Sequence, residues 1–216
     1  MPDVKPQKRP YRSRKRAAQA AETREVVLAA AHDLFLARGW VKTTIAGIAS
    51  AAGVANETVY SSFGSKKALL QQLISRAVRG IRPDTPLTAQ ETPRRIAQET
   101  DQARQIDLFS DDIAEVLTRV APLMDVVRVA AETDAAIADL YAELHRGRRN
   151  NLEWFANALL YNGPLRDRMD AEAAGNILWR LASPDLFLLM RRMEGASQRS
   201  YAEWLATSLK LLLLDR

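Results

Sequence analysis

Between Thr43 and Lys66 the chain sets out a run of side chains able to hydrogen-bond an external partner: Thr44, Asn56, Glu57, Thr58, Tyr60, Ser61 and Lys66. Nothing in the run pairs a nucleophile with a base, and nothing in it forms a metal cage. An amide, a carboxylate, hydroxyls and an ammonium instead suit a polyanion whose edges can be read. Asn pairs bidentately with adenine, and Glu accepts from the amine of cytosine. Thr, Tyr and Lys serve phosphate oxygens, which fix register but carry no sequence information.

These side chains are useful only if the backbone holds them at one face, and the spacing around them predicts how. Ala49, Gly53 and Val59 lie four and six residues apart. Two helices that cross closely need a small contact residue on the first, here Ala49. The turn between them needs a left-handed residue, here Gly53. The second helix needs a branched apolar residue to pin it to the first, here Val59. Ile48, Ala52 and Val54 fill the remaining inward positions. A short helix is therefore expected from about Ile45, capped by Thr43 or Thr44, and a second from about Ala55 to Phe63.

In the DNA-binding form of this helix-turn-helix the second helix enters the major groove. Asn56, Glu57 and Ser61 would then read bases, and Thr44, Thr58, Tyr60 and Lys66 would meet phosphates. Lys66 follows Ser65 at a helix start, where free N–H groups already favour an anion. Glu57 either meets a cytosine amine or is a solvated acid at the helix start. Tyr60 can serve both backbone and core, and Phe63 reads as core. A tight helical corner with no DNA role has the same spacing.

Upstream, Val27, Ala30, Ala31, Leu34 and Phe35 keep helical spacing up to Gly39, and downstream Leu69, Leu70, Leu73, Ile74 and Ala77 do the same. Charge follows this division. The net charge of the chain is +5, with 31 Lys+Arg against 26 Asp+Glu, but residues 1–80 carry +9 and the rest −4. Seven of the cations fall in Lys5 to Arg16. A basic front on a slightly acidic body suggests a polyanion-binding module joined to something else. The arm itself is expected to be disordered, lying either along DNA or in solution as a solubilising tail.

The string from Thr43 to Lys66 resembles the N-terminal domain of the tetracycline-repressor (TetR) family. It carries Thr43-Thr44, Ala52-Gly53-Val54, Thr58-Val59-Tyr60, Phe63 and Ser65-Lys66, after a helix that ends in Gly39-Trp40. The resemblance covers roughly residues 22–80. Glu57 departs from the small residue common there in the family. A weaker similarity to some of these regulators rests on Leu178-Trp179, Ser183-Pro184-Asp185-Leu186 and Tyr201-Ala202-Glu203-Trp204-Leu205. The resemblance implies an all-α homodimer with a three-helix DNA-binding head and a helical-bundle body for ligand binding and dimerisation. It also implies a ligand-responsive regulator, usually a repressor, that a small-molecule effector releases from a palindromic operator on double-stranded DNA.

The expected organisation is thus a disordered basic arm over 1–21, a helix-turn-helix domain over 22–80 and a ligand-binding and dimerisation domain over 81–216. Pro83, Pro86 and Pro93 mark the boundary. In the body, helical segments are expected near 94–108, 110–121, 123–131, 134–161, 171–193 and 198–214. They are separated at Ser110, Pro122, Thr133, Gly163-Pro164 and Gly195, with Pro184 bending the fifth. Leu117, Met124, Val127, Trp154, Phe155 and Trp179 are candidates to line a ligand pocket, with plain core as the alternative for each. Arg146, Arg148 and Arg149 read as a solvated face, and Arg119 and Arg128 as surface or ion-paired residues. The last two segments are candidates for the dimer interface.

Other function classes find little support. The chain has no cysteine and only two histidines, His32 and His145. Disulfide frameworks and thiolate chemistry are excluded, and a His-based metal cage is not expected. There is no glycine-rich phosphate loop to suggest an enzyme, and no cofactor is expected. Apolar runs such as Leu186 to Met190 are too short for a bilayer, and no apolar segment follows the basic start to make a secretory signal, so a cytoplasmic protein without membrane partners is expected. A basic binder of nucleic acid without sequence preference is the competing reading of the arm, and activation a variant of repression.

Overall fold

The computed structural model describes residues 10–80 and 90–215, residues 10–15 by their backbone alone. All regular structure among them is helical. The described residues up to Gln71 form one compact unit and those from Gln72 onward a second. The division falls inside α4, Lys66–Arg79.

In the first unit α1 spans Pro10–Lys42, α2 Ile45–Ala52 and α3 Asn56–Phe63. The disordered arm expected over 1–21 is corrected by this. Residues 10–21 are the start of α1, and residues 1–9 lie outside the described residues. Pro10 takes the first helical position, where its missing N–H costs nothing, and the alanine-rich run after it has high helix propensity. Gly39 interrupts α1 as expected, with φ 69° and ψ −175°, a conformation that only glycine adopts without strain. The core of this unit is Val27, Leu28, Ala31 and Phe35 of α1 with Ile48, Ala49 and Val59 of α2 and α3, all below 5 % exposed.

The second unit contains α5 Glu91–Gln98, α6 Gln102–Ala131, α7 Ala135–Asn162, α8 Ala171–Leu181, α9 Pro184–Met193 and α10 Gln198–Leu213. α6 is its axis: α5, α7, α9 and α10 all pack on it, and α8 packs on α7. The breaks expected at Ser110 and Pro122 are absent. Pro122 removes one ladder bond, but Leu117, Val120, Ala121, Leu123, Met124 and Val127 around it are all buried. That burial outweighs the lost bond and keeps the helix continuous. At Ser183-Pro184 the chain does more than bend: Ser183 caps α9 by accepting from Asp185 N, with Pro184 in the first turn. Of the prolines expected to mark the boundary, Pro83 and Pro86 lie outside the described residues, and Pro93 is buried within α5.

One polar knot ties this bundle together. Gln105 is fully buried. Its Nε2 donates to the Ile96 carbonyl at 3.0 Å, and its Oε1 accepts from Asn162 Nδ2 at 3.0 Å. Asn162 Nδ2 also donates to the Glu99 carbonyl at 2.7 Å. α5, α6 and the end of α7 are thereby locked in register. Gln105→Leu leaves the Ile96 carbonyl with only the Glu99 N–H at 3.3 Å and strands one N–H of Asn162, so it is expected to lower unfolding free energy by about 1–3 kcal/mol in urea titration.

Candidate nucleic-acid interface

The corner between α2 and α3 is built as its spacing predicts. Ala49 and Val59 are 1 % and 0 % exposed. Gly53 is left-handed, at φ 66° and ψ 31°, and its N–H meets the Ala49 and Ser50 carbonyls. Thr44 rather than Thr43 caps α2: its Oγ1 accepts from Gly47 N at 3.0 Å. Thr43 is buried, and its hydroxyl donates to the Gly39 carbonyl at 2.7 Å. Ser65 accepts from Ala68 N and so starts α4.

α3 divides its residues cleanly by face. Val59 and Phe63 point into the core, whereas Asn56, Glu57, Tyr60 and Ser61 are exposed and Thr58 is half-buried. Ser61 Oγ donates to the Thr58 carbonyl within the helix, at 3.1 Å, so toward a partner it can only accept. The residue before α3 is Ala55, which supplies no side-chain cap. The first N–H groups of α3 therefore have no side-chain acceptor, and they carry the positive end of the helix dipole beside Asn56 and Glu57.

Two cations hold this arrangement. Arg24 of α1 donates from Nη1 to the Ser62 carbonyl at 2.6 Å, and its guanidinium lies 4.4 Å from the centre of the Phe63 ring. α3 has no basic residue in its own last turn, so Arg24 supplies from outside the positive charge that a helix C-terminus favours. The sequence reading passed over Arg24. Its signal was a cation one turn before the first core residue, Val27.

Lys66 has partners within the head. Its ammonium was expected on a phosphate. Here Nζ donates to the Trp40 and Thr43 carbonyls at 2.8 and 2.9 Å and lies 3.9 Å from the Trp40 ring centre. The interruption at Gly39 turns carbonyls away from the helix ladder, and a cation over an aromatic face satisfies them. Lys66 thus positions the segment leading into α2. Lys66→Met is expected to destabilise the protein by about 1–3 kcal/mol. Hydrogen exchange should show faster opening of the amides from Trp40 to Gly47.

The body residues singled out as a pocket do not line its described cleft. Leu117, Met124, Val127 and Phe155 are core residues, 0–6 % exposed. Phe155 stacks on Phe109 with ring centres 4.0 Å apart, and Trp154 meets it edge-on at 5.6 Å. Trp179 lies instead beside His145 and Arg148. The described cleft, of about 460 Å³, runs between α5, α6 and α10, with Arg95, Asp111, Asp112, Glu115 and Arg199 among its lining residues. Arg119 pairs with Glu115 at 2.7 Å, and Arg128 with Asp125 at 2.8 Å, as expected of ion-paired residues. Arg148 departs from the solvated face expected of it and is drawn inward, with Nη1 on the Trp179 and Ala182 carbonyls at 2.8 and 3.0 Å.

In the cleft, burial and then the neighbouring Glu115 push the Asp112 carboxyl up to about 6, against the opposing pull of Arg119 and Arg95. A carboxyl raised on folding binds its proton more tightly in the native state. Its stabilisation is complete below the unfolded value near 4 and is lost as pH rises through about 6. Asp112→Asn should therefore raise stability above pH 7 by about 1–3 kcal/mol, with no gain near pH 4. Thermal melts across that range measure the difference.

The sequence profile of bacterial regulatory proteins of the tetR family matches residues 27–73. The chain is 30% identical over 176 residues to the HTH-type transcriptional repressor BepR of Brucella suis biovar 1 (strain 1330), covering 76% of this chain and 79% of that protein. It is 43% identical over 54 residues to the HTH-type transcriptional regulator AlkX of Mycobacterium tuberculosis (strain ATCC 25618 / H37Rv), covering 25% and 26% of the two. Among solved structures it resembles NalD, the secondary repressor of the MexAB-OprM multidrug efflux pump in Pseudomonas aeruginosa. There the TM-score is 0.65 at 22% identity, over 90% of this chain and 98% of that one. No described helix is long and apolar enough to cross a membrane. With its helix-turn-helix in place and a relative matched over most of both lengths, the chain belongs to the tetR family of bacterial regulatory proteins.

Proposed function

We propose that this regulator is a homodimeric repressor, that it binds a palindromic operator through α3, and that a small-molecule effector in the body releases it. The observation that carries the reading is the exposed face of α3. Asn56, Glu57, Tyr60 and Ser61 are presented to solvent by a helix whose opposite face, Val59 and Phe63, is buried. Asn56 and Glu57 stand at its uncapped N-terminus, where a recognition helix makes its base contacts. Ser61 accepts from a base amine. Thr44 keeps its hydroxyl proton for a phosphate while its oxygen caps α2, and Thr58 and Tyr60 supply further phosphate contacts. Repression, rather than activation, is favoured by the relative named as a repressor.

Dimerisation is supported by α9 and α10. Leu189, Met193, Leu211 and Leu212 are 42–74 % exposed, although the same helices bury Phe187, Tyr201, Leu205 and Leu209 in the bundle. An apolar face of this kind on the last two helices suits a two-fold interface. The heads would then read half-sites about 34–36 Å apart or a multiple of that. The effector must bind the operator-competent and operator-incompetent states with different affinity, or operator occupancy does not change. No resident cofactor is needed for this cycle, which belongs with the chromosome in the cytoplasm.

The test is selection of bound DNA from a random pool, followed by affinity measurements. The selected site should be palindromic and should beat bulk DNA by ~10³ or more, with binding that weakens steeply as salt rises. Asn56→Ala should cost about 5- to 150-fold on the selected site, the range of a bidentate base contact, and leave bulk binding unchanged. Failure to enrich any sequence overturns the reading, and a monomer by sedimentation at micromolar concentration overturns the dimer.

A further inference from the structure

Five buried side-chain nitrogen or oxygen atoms among the described residues have no hydrogen-bond partner, and four of them meet in one place. They are both ring nitrogens of His145, Nε of Arg148 and Nε1 of Trp179. The rings form a continuous wall. His145 lies edge-on to Tyr141 at 4.4 Å and to Trp179 at 5.9 Å, and the Arg148 guanidinium is 4.9 Å from the centre of the Trp179 ring. α7 supplies Tyr141, His145 and Arg148, and α8 supplies Trp179.

Unmet polar atoms in a folded interior each cost about 1–3 kcal/mol, and a cluster of them calls for a partner. The inventory says which kind. Arg148 Nε and Trp179 Nε1 can only donate, and neutral His145 offers one donor and one acceptor. Three donors against one acceptor fit an acceptor-rich group. The guanidinium adds a charge whose burial is poorly compensated: burial pulls the Arg148 group down to about 10, although Asp185 partly opposes it. Asp185 is itself half-exposed and lies 3.8 Å from Arg128. An anion here faces Arg148 and His145 of α7 and Asp185 of α9, with the Tyr201 hydroxyl of α10 occupied by the Leu181 carbonyl at 2.8 Å. The wall of rings suits a flat apolar body beside the charge.

We infer that the corner of His145, Arg148 and Trp179 between α7 and α8 is a recognition site for a planar aromatic carboxylate. The carboxylate accepts from Arg148 Nε and Trp179 Nε1, and its ring lies along Tyr141 and His145. Because the nitrogens are covered in the unliganded chain, entry parts the local α7–α8 packing. Closing without the ligand leaves the four atoms unmet, so the ligand favours the parted arrangement. As the chemical class of the effector, this rests on the ligand-released regulator proposed above.

The probes are benzoate, 2-naphthoate and indole-3-acetate, each titrated calorimetrically into the full-length protein beside its neutral amide. At least one acid should bind saturably and at least tenfold more tightly than its amide. Trp179→Phe, which removes the indole N–H with the five-membered ring that carries it, should weaken that acid at least fivefold in a variant that still folds. His145→Phe should weaken it as well, and serves as the second variant. Acids and amides binding alike, full affinity in Trp179→Phe, or no saturable binding because water alone meets these nitrogens, each overturns the site. Operator affinity is measured in parallel. Loss of acid binding with operator binding intact sinks only this inference, whereas absence of any operator sinks the regulator reading and leaves the titration to judge the site.

Discussion

A helix of eight residues does not hold itself in water, because nucleation costs more than two turns of hydrogen bonds return. α2 and α3 are both of this length. Their existence depends on what is packed against them: Val59 and Phe63 sunk into the core, the close crossing that Ala49 permits, and the turn that Gly53 makes without strain. The two cations act at the places this leaves weakest. Arg24 grips the last turn of α3 from α1, and Lys66 gathers the carbonyls that Gly39 turns away from its helix. The position of the exposed face of α3 is thus set by groups that are not part of it.

The body is organised by an opposite treatment of buried polarity in two regions. Around Gln105 and Asn162 nearly every polar atom finds a partner, and three helices are fixed by a few short bonds. Around His145 and Trp179 four nitrogens are equally covered but unmet, although Arg148 Nη1 holds the Trp179 and Ala182 carbonyls. A fully satisfied network rigidifies, while a partly satisfied one is an energetic weak point. The bundle therefore satisfies its buried polar groups at one end and leaves several of them unmet at the other.

Much of the head was legible in the sequence because its constraints are local. A small residue, a left-handed glycine and a branched pin at fixed spacing leave one geometry, and Thr44, Ala49, Gly53 and Val59 all occupy the positions that geometry assigns. Where a side chain has two physically acceptable destinations, spacing could not choose between them. Lys66 can reach outward to an anion or inward to carbonyls, and only the path of residues 39–43 decides. Pro122 and Ser110 look like stops when read singly, because the burial that carries α6 through them comes from helices distant in sequence. Arg148 sits in an arginine-rich stretch that reads as solvated, and its inward turn follows from carbonyls more than thirty residues away. Trp179 was marked as a pocket residue on its character alone, and the structure supplies neighbours that character could not name.

On α3 the residues that hold the helix and those that face outward are different residues. Asn56, Glu57 and Tyr60 are exposed, whereas Val59 and Phe63 are buried and the Arg24 guanidinium is turned onto the Ser62 carbonyl. Mutation at the outward positions therefore leaves folding largely untouched, whereas mutation at the inward ones disturbs the helix that carries the outward face. A duplicated copy of such a gene can vary the exposed positions of α3 without passing through unfolded intermediates, so a lineage can diversify that face at little risk to its scaffold.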